Sequence, residues 1–388
     1  MSIKEILKAF FYKNQIESKG QEANTEDIAL FCVKGKAANG EILYGYINIK
    51  GEFVIEPQFV EARGFVNEVA VVCTANNKWG YIDKKGKYII KPQFVYASDF
   101  YNELTEVRSA NSKWGVIDKK GKYVINPQFE SLTVAGSSDC GLLLANINDK
   151  YGYINTEGKI VIEPIYEAAN PFREDVAWVK KIDCYGLINK YGEYIIPPRP
   201  SCYPVNDFNE GLACVGFQGN AFVKYGYINK TGEWVIKSQF HKASSFSEGL
   251  ANVGFGDGPC DYGSFYQYKY GYINKDGQFV IEPQFQLAGP FREGLATVES
   301  GGKWGAINRN GEFVIKPQFD FMCYFKDGLA EVKKDGKWGY VDRNGNIALP
   351  IQYDELSINY NNGLFVVKDF DGKWKYINKK GECVYIAP

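Results

Sequence analysis

Histidine occurs once in the 388-residue chain, at His241. Any Ser-His-Asp or Cys-His centre would have to run through that residue, and no G-x-S-x-G segment accompanies it. Metal sites built on several histidines are excluded outright. The run Gly254-Phe255-Gly256-Asp257-Gly258 has the glycines of a phosphate loop. It lacks the strand-to-helix context and the lysine, so it reads as a hairpin tip. Asn274-Lys275-Asp276-Gly277 resembles the start of a calcium loop, but equivalent slots elsewhere carry non-ligands, and a turn is the better reading. The nine cysteines are scattered without a C-x-x-C pair. Cys32, Cys73 and Cys214 lie in similar apolar stretches, LFCV, VVCT and LACV, which suits buried reduced thiols. These residues argue for a protein that is not an enzyme and needs no cofactor or metal.

The elements that carry them come from a repeat. An aromatic–glycine pair recurs at Tyr44-Gly45, Trp79-Gly80, Trp114-Gly115, Tyr151-Gly152, Tyr185-Gly186, Tyr225-Gly226, Tyr270-Gly271, Trp304-Gly305 and Trp338-Gly339. Trp374-Lys375 closes the series without the glycine. Four residues after the aromatic stands Asn or Asp in every copy, from Asn48 to Asn378, and seven after it stands Gly, from Gly51 to Gly381. Asn or Asp opens a type I turn by bonding the backbone ahead, and the glycine takes the left-handed conformation of a bulged hairpin loop. Each D/N-x-x-G therefore joins two antiparallel strands.

The outgoing strand alternates, as in Tyr88-Ile89-Ile90-Lys91, and the Ile90 slot holds Ile in eight copies, Leu349 in the ninth and Tyr385 in the tenth. That slot reads as core. Proline thirteen residues after the aromatic, as at Pro57, Pro92 and Pro127, should stop the sheet. A linker with apolar residues every three (Phe94-Ala97-Phe100) suits a packed 3₁₀ turn, and a third strand follows as E-G-L-A-x-V. The expected architecture is all-β: ten three-stranded antiparallel units over residues 28–388, in an open, curved, solenoid-like array. A closed propeller-like ring is the alternative, disfavoured because ten blades exceed the usual number. Residues 1–27 should form a short N-terminal helix over 2–11, with Ser2 and Glu5 as a capping box, followed by a polar connector.

The segments KWGYIDKKGKYIIKPQF (78–94) and KWGVIDKKGKYVINPQF (113–129), with F-x-E-G-L-A-x-V at 291–298, resemble the bacterial WG, or KWG, repeat family. The resemblance spans about residues 28–388. It implies a β-rich bacterial repeat protein and brings no agreed activity or catalytic residues with it.

Charge narrows the partners. With 45 basic and 46 acidic side chains, the net charge is −1, and no global field would draw the chain to nucleic acid or to an anionic membrane. Only three of the ten turn windows are positive, too few for a backbone-tracking stripe. No apolar run approaches a spanning helix, and residues 1–27 lack a secretory h-region, so a cytoplasmic address is expected.

What breaks the repeat points to a site. From the leucine slot to the next aromatic takes thirteen residues in unit 6 (Leu212 to Tyr225) and twenty in unit 7 (Leu250 to Tyr270), against nine or ten in most units; unit 1 is also long, over Lys34–Leu43. The extra length carries Phe217, Phe222, Phe255, Tyr262, Phe265, Tyr266 and Tyr268. Insertions on one face of a repeat protein often mark the binding face. The expectation is a scaffold for protein–protein interaction centred on these tips. A small-ligand or glycan-binding module using exposed aromatics is the alternative.

Overall fold

The computed structural model describes residues 29–388 except 67, 102, 135–139, 201, 219–222, 257–267 and 358–362. The helix and connector expected over residues 1–27 lie outside the described residues, apart from the strand start that follows them.

The turn chemistry read from sequence is present. One Asp83 side-chain oxygen accepts the N–H groups of Lys85 and Lys87, both at 2.9 Å, while the Gly86 N–H closes on the Asp83 carbonyl at 2.9 Å. Gly86 sits at φ +78°, where a side chain is strained. The first sheet holds β1 (Phe31–Lys36), β2 (Ile42–Ile47) and β3 (Phe53–Phe59). The second holds β4 (Glu61–Ala62), β5 (Ala70–Cys73), β6 (Trp79–Ile82) and β7 (Tyr88–Phe94), in that spatial order and antiparallel throughout.

The units are thus four-stranded, not three-stranded. The linker expected as a 3₁₀ turn is a short strand, because its backbone groups need partners and the neighbouring edge offers them. The Val60 N–H donates to Cys73 O at 3.0 Å, and that of Arg63 to Val71 O at 3.1 Å. Nine sheets have four strands, and the first has three among the described residues. A single corner residue, Val60, separates β3 from β4, so the last strand of one blade turns directly into the first of the next. The E-G block then makes a two-residue hairpin. Glu248 and Gly249 both have positive φ, and Ser247 and Leu250 exchange N–H···O bonds across them.

Proline does not stop the sheet either. Trp79 pairs with Phe94 and Tyr81 with Ile90, so Gly80 stands opposite a bulge of Lys91, Pro92 and Gln93. The bulge frees the proline nitrogen from the ladder. It also explains the WG glycine, since a Cβ on Gly80 would lie 2.7 Å from both Ile90 O and Pro92 N. In the tenth blade Lys375 replaces that glycine, and Lys375 pairs with Ile386 and Tyr376 with Tyr385 without the bulge.

The core lies between blades. Tyr81, Ile90 and Phe94 of the second blade pack with Phe100, Val107 and Ile117 of the third. Ile90 lies beneath the turn glycine Gly121, and Ile55, Ile125, Ile162 and Ile281 lie likewise beneath Gly86, Gly158, Gly192 and Gly311. The tyrosine after the WG pair is fully buried and reaches the next blade. Tyr46, Tyr81, Tyr153, Tyr227 and Tyr272 donate to Arg63 O, Ser98 O, Asn170 O, Ser244 O and Gly289 O at 2.7–2.8 Å.

The open array is corrected to a closed ring. Leu364 of the tenth blade is buried with Phe31, Val33 and Ile47 of the first, and Phe53 meets Tyr385 edge-on at 5.5 Å. Gly51 packs against the backbone and Cβ of Val384, where most other turn glycines meet an isoleucine side chain of the preceding blade. Tyr376 Oη donates to Cys32 O at 3.4 Å and Tyr385 Oη to Lys34 O at 2.6 Å. By register, these carbonyls are the counterparts of Val71 O and Cys73 O, which bond the short strand in the second blade. Two phenols do there what backbone N–H groups do elsewhere. The ten blades form a propeller ring.

Candidate functional site

Antiparallel alternation sorts the loops onto two faces. One carries the D/N-x-x-G turns and the E-G hairpins, and it is stitched from blade to blade. Carboxylates of Glu210, Glu248 and Glu293 accept the N–H groups of Gly249, Gly294 and Gly328 in the following blades at 2.9–3.0 Å. Arg309 and Arg343 donate to the carbonyls of Glu248 and Glu293 in the preceding blades at 2.7 and 2.5 Å.

The other face carries the hairpins between the second and third strands, together with the corner residues. In blades 4, 5, 8 and 9 these tips are two-residue turns with both φ positive, at Asn148-Asp149, Ile182-Asp183, Gly301-Gly302 and Asp335-Gly336. Blades 6 and 7 stand next to each other with the long tips. Of the seven aromatic residues expected there, Phe222, Tyr262, Phe265 and Tyr266 lie outside the described residues. Phe217 is half-buried and edge-on to Trp234 of its own blade at 6.4 Å. Phe255 packs between Phe240 and Phe279, at 5.4 and 5.7 Å, on the core between blades 6 and 7. Tyr268 lies 6.1 Å from the His241 ring. These three root the tips in the ring.

Sequence reasoning missed the corner residues, although their position one residue after the outgoing strand was readable. At several junctions the corner side chain has two tasks. It meets the lysine that precedes the aromatic–glycine pair of the preceding blade, as in Lys113–Glu130 at 2.6 Å and Lys303–Asp320 and Lys337–Asp354 at 2.5 Å. It also accepts an N–H from the tip of the following blade, as Asp320 does from Asp335 at 2.7 Å and Gln286 from Gly301 at 3.1 Å. The pairing holds the Glu130 and Asp320 carboxyls below their usual range and pushes the Lys303 ammonium above its own. His241 is the corner between blades 6 and 7. It is half-buried and bonded to Lys224 and Gly256.

The described cysteines, Cys32, Cys73, Cys140, Cys184, Cys214, Cys323 and Cys383, are free thiols. Burial pushes Cys32 and Cys214 up to about 12, far from the range of a reactive thiolate. Among the described residues no group of His, Cys, Asp and Glu is arranged to hold a metal ion. No helix there is long and apolar enough to cross a membrane.

A ring of ten small antiparallel sheets with a stitched face and a variable face is a repeat propeller. The WG-containing repeat model matches residues 44–79, 79–113, 114–151, 151–181, 225–257, 270–304, 304–338 and 338–374, and the chain belongs to that family. No curated protein matches it. Among solved structures it is similar to the tricorn protease, with 10% identity over 91% of this chain and a TM-score of 0.34; it spans 46% of that chain. Similarity to BamB from Moraxella catarrhalis covers 63% of this chain and 77% of that one, at 14% identity and a TM-score of 0.31. For Hsv2p from Kluyveromyces lactis the values are 61%, 90%, 9% and 0.35.

Proposed function

We propose that the ring is a non-catalytic scaffold that binds a protein partner on its variable face, over blades 6 and 7. One observation carries the reading: four blades close these hairpins with two residues, blade 1 has a longer tip without aromatics, and the two long tips that are rich in aromatics stand on neighbouring blades. Aromatic anchors rooted in a rigid frame can bind at low entropic cost. Free thiols in apolar strands suit a reducing, cytoplasmic setting. The test replaces residues 254–269 by a two-residue turn and compares partner recovery with the full chain. A folded variant that captures the same partner with unchanged affinity sinks the assignment.

A second reading, small-ligand or glycan binding, has one observation in its favour. A recess of about 560 Å³ on the same face is lined by Asp320, Phe321, Lys333, Gly336 and Trp338. Quenching of tryptophan fluorescence on sugar titration, lost in Trp338→Ala, supports that reading; no change removes it.

A further inference from the structure

The recess of the ninth blade carries a charge that sister blades neutralise for themselves. Lys333 stands in register between Phe321 and Trp338, and its ammonium lies 5.2 Å from the Trp338 ring centre. Lysine holds the same register position in blades 5 and 10, at Lys180 and Lys368. Each of those meets a carboxylate of its own blade. Asp183 reaches Lys180 at 2.7 Å from the hairpin tip, and Glu355 reaches Lys368 at 3.2 Å from the short strand.

In blade 9 both of these supplying positions differ. Gly336 stands where Asp183 does, and Phe321 stands where Glu355 does. Asp320, the one acid lining the recess, is already engaged: its Oδ1 takes the Lys303 ammonium and its Oδ2 the Asp335 N–H. Among the described residues no carboxylate pairs with Lys333. Lys34 of blade 1 shares the position, but that blade has no short strand among its described residues to wall a recess.

The cation thus borders a hollow with two aromatic walls and an open mouth. Phe321 and Gly336 are exposed, and a Cβ on Gly336 would meet nothing within 4 Å. The sister blades show which anion fits, a single carboxylate seated on the lysine. An open mouth leaves much of the ligand in water, so the body carrying that carboxylate must be hydrated on one side and apolar against the rings on the other. A pyranose, with hydroxyls at its rim and C–H bonds on its face, meets both demands. We propose, resting on the small-ligand reading of this recess, that it takes a hexuronate residue of an acidic glycan, with the carboxylate on Lys333 and the C–H face against Trp338 and Phe321.

Saturation-transfer NMR on the intact protein tests this with methyl β-D-glucuronide, methyl β-D-glucoside and benzoate. The two glycosides differ only at C6, carboxylate against hydroxymethyl. The glucuronide is expected to bind roughly five- to tenfold tighter, the range of one partly exposed charge-assisted bond. Lys333→Met keeps the stem and should bring the two dissociation constants together. Gly336→Asp places in blade 9 the aspartate of blade 5, at a tip position where Asp183 itself has positive φ, and should do the same by occupying Lys333. Thermal unfolding checks that both variants keep the ring. Binding of neither glycoside removes the small-ligand reading and the hexuronate with it. Equal binding of the two by the parent protein leaves that reading standing and overturns the carboxylate assignment. A preference that survives in either folded variant overturns it as well. Benzoate binding as tightly as the glucuronide overturns the sugar.

Discussion

Tyr385 Oη donates to the Lys34 carbonyl across 351 residues of chain, in a blade where the other copies carry an aliphatic residue at that slot. The ring is closed there by a side chain. Tyr385→Phe keeps the ring contact with Phe53 and removes the bond. We expect a loss of up to about 1 kcal/mol. Hydrogen exchange should rise in the first and tenth blades and stay unchanged near Tyr153 and Tyr227. Uniformly faster exchange around the ring would contradict closure at this seam.

The turn glycines have two roles that can be separated. Gly121 and Gly381 have φ of +78° and +81°, but a Cβ on Gly121 would lie 3.1 Å from Ile90, whereas Gly381 faces open space. Alanine at Gly381 should cost only the strain of the left-handed region, roughly 1–2 kcal/mol. Gly121→Ala adds a packing cost between blades and should lower the melting temperature further. Equal shifts would show that the isoleucine contact is unimportant.

Gly80→Ala tests the bulge. Its Cβ would meet backbone, not a yielding side chain. Loss of a few kcal/mol is expected, at the severe end for a single substitution. Urea denaturation measures it, and a variant as stable as the parent would refute the close approach.

Alkali should unfold the ring. Burial raises the phenols of Tyr46, Tyr81, Tyr153, Tyr227 and Tyr272 well above their ordinary range. A raised folded-state value means stability is fully present below the unfolded value, about pH 10, and is lost as pH rises beyond it. Phenolate absorbance should therefore show an exposed set titrating first and a buried set appearing together with loss of circular dichroism. Buried tyrosines that ionise in the folded ring would break this link.

Much of the fold was legible because the turn is local. Asn or Asp and the glycine three residues on determine a hairpin by bonds within five residues, and all ten form as read. The fourth strand was not legible, since two residues such as Glu61–Ala62 have no periodicity of their own and pair only because Val72 and Cys73 lie beside them. Proline misled for a related reason: its missing N–H ends a ladder only where the partner strand lacks the room that Gly80 supplies. Closure was signalled by Tyr385, but a single residue out of pattern does not tell what it touches. At the tips, sequence gave the extra length and the aromatics. It did not show that Phe255 faces inward against Phe240, nor that at several junctions the corner residue connects a tip to the blade before it.

The two faces also differ in how freely they can change. On the stitched face a lengthened loop would break bonds to both neighbouring blades, so its dimensions are tied to the frame. On the other face the described tips vary from two residues in blade 9 to five in blade 1, and a short tip bonds only the corner residue before it, as Asp335 does Asp320. New specificities can therefore be written there one blade at a time, while the opposite face keeps the inherited frame.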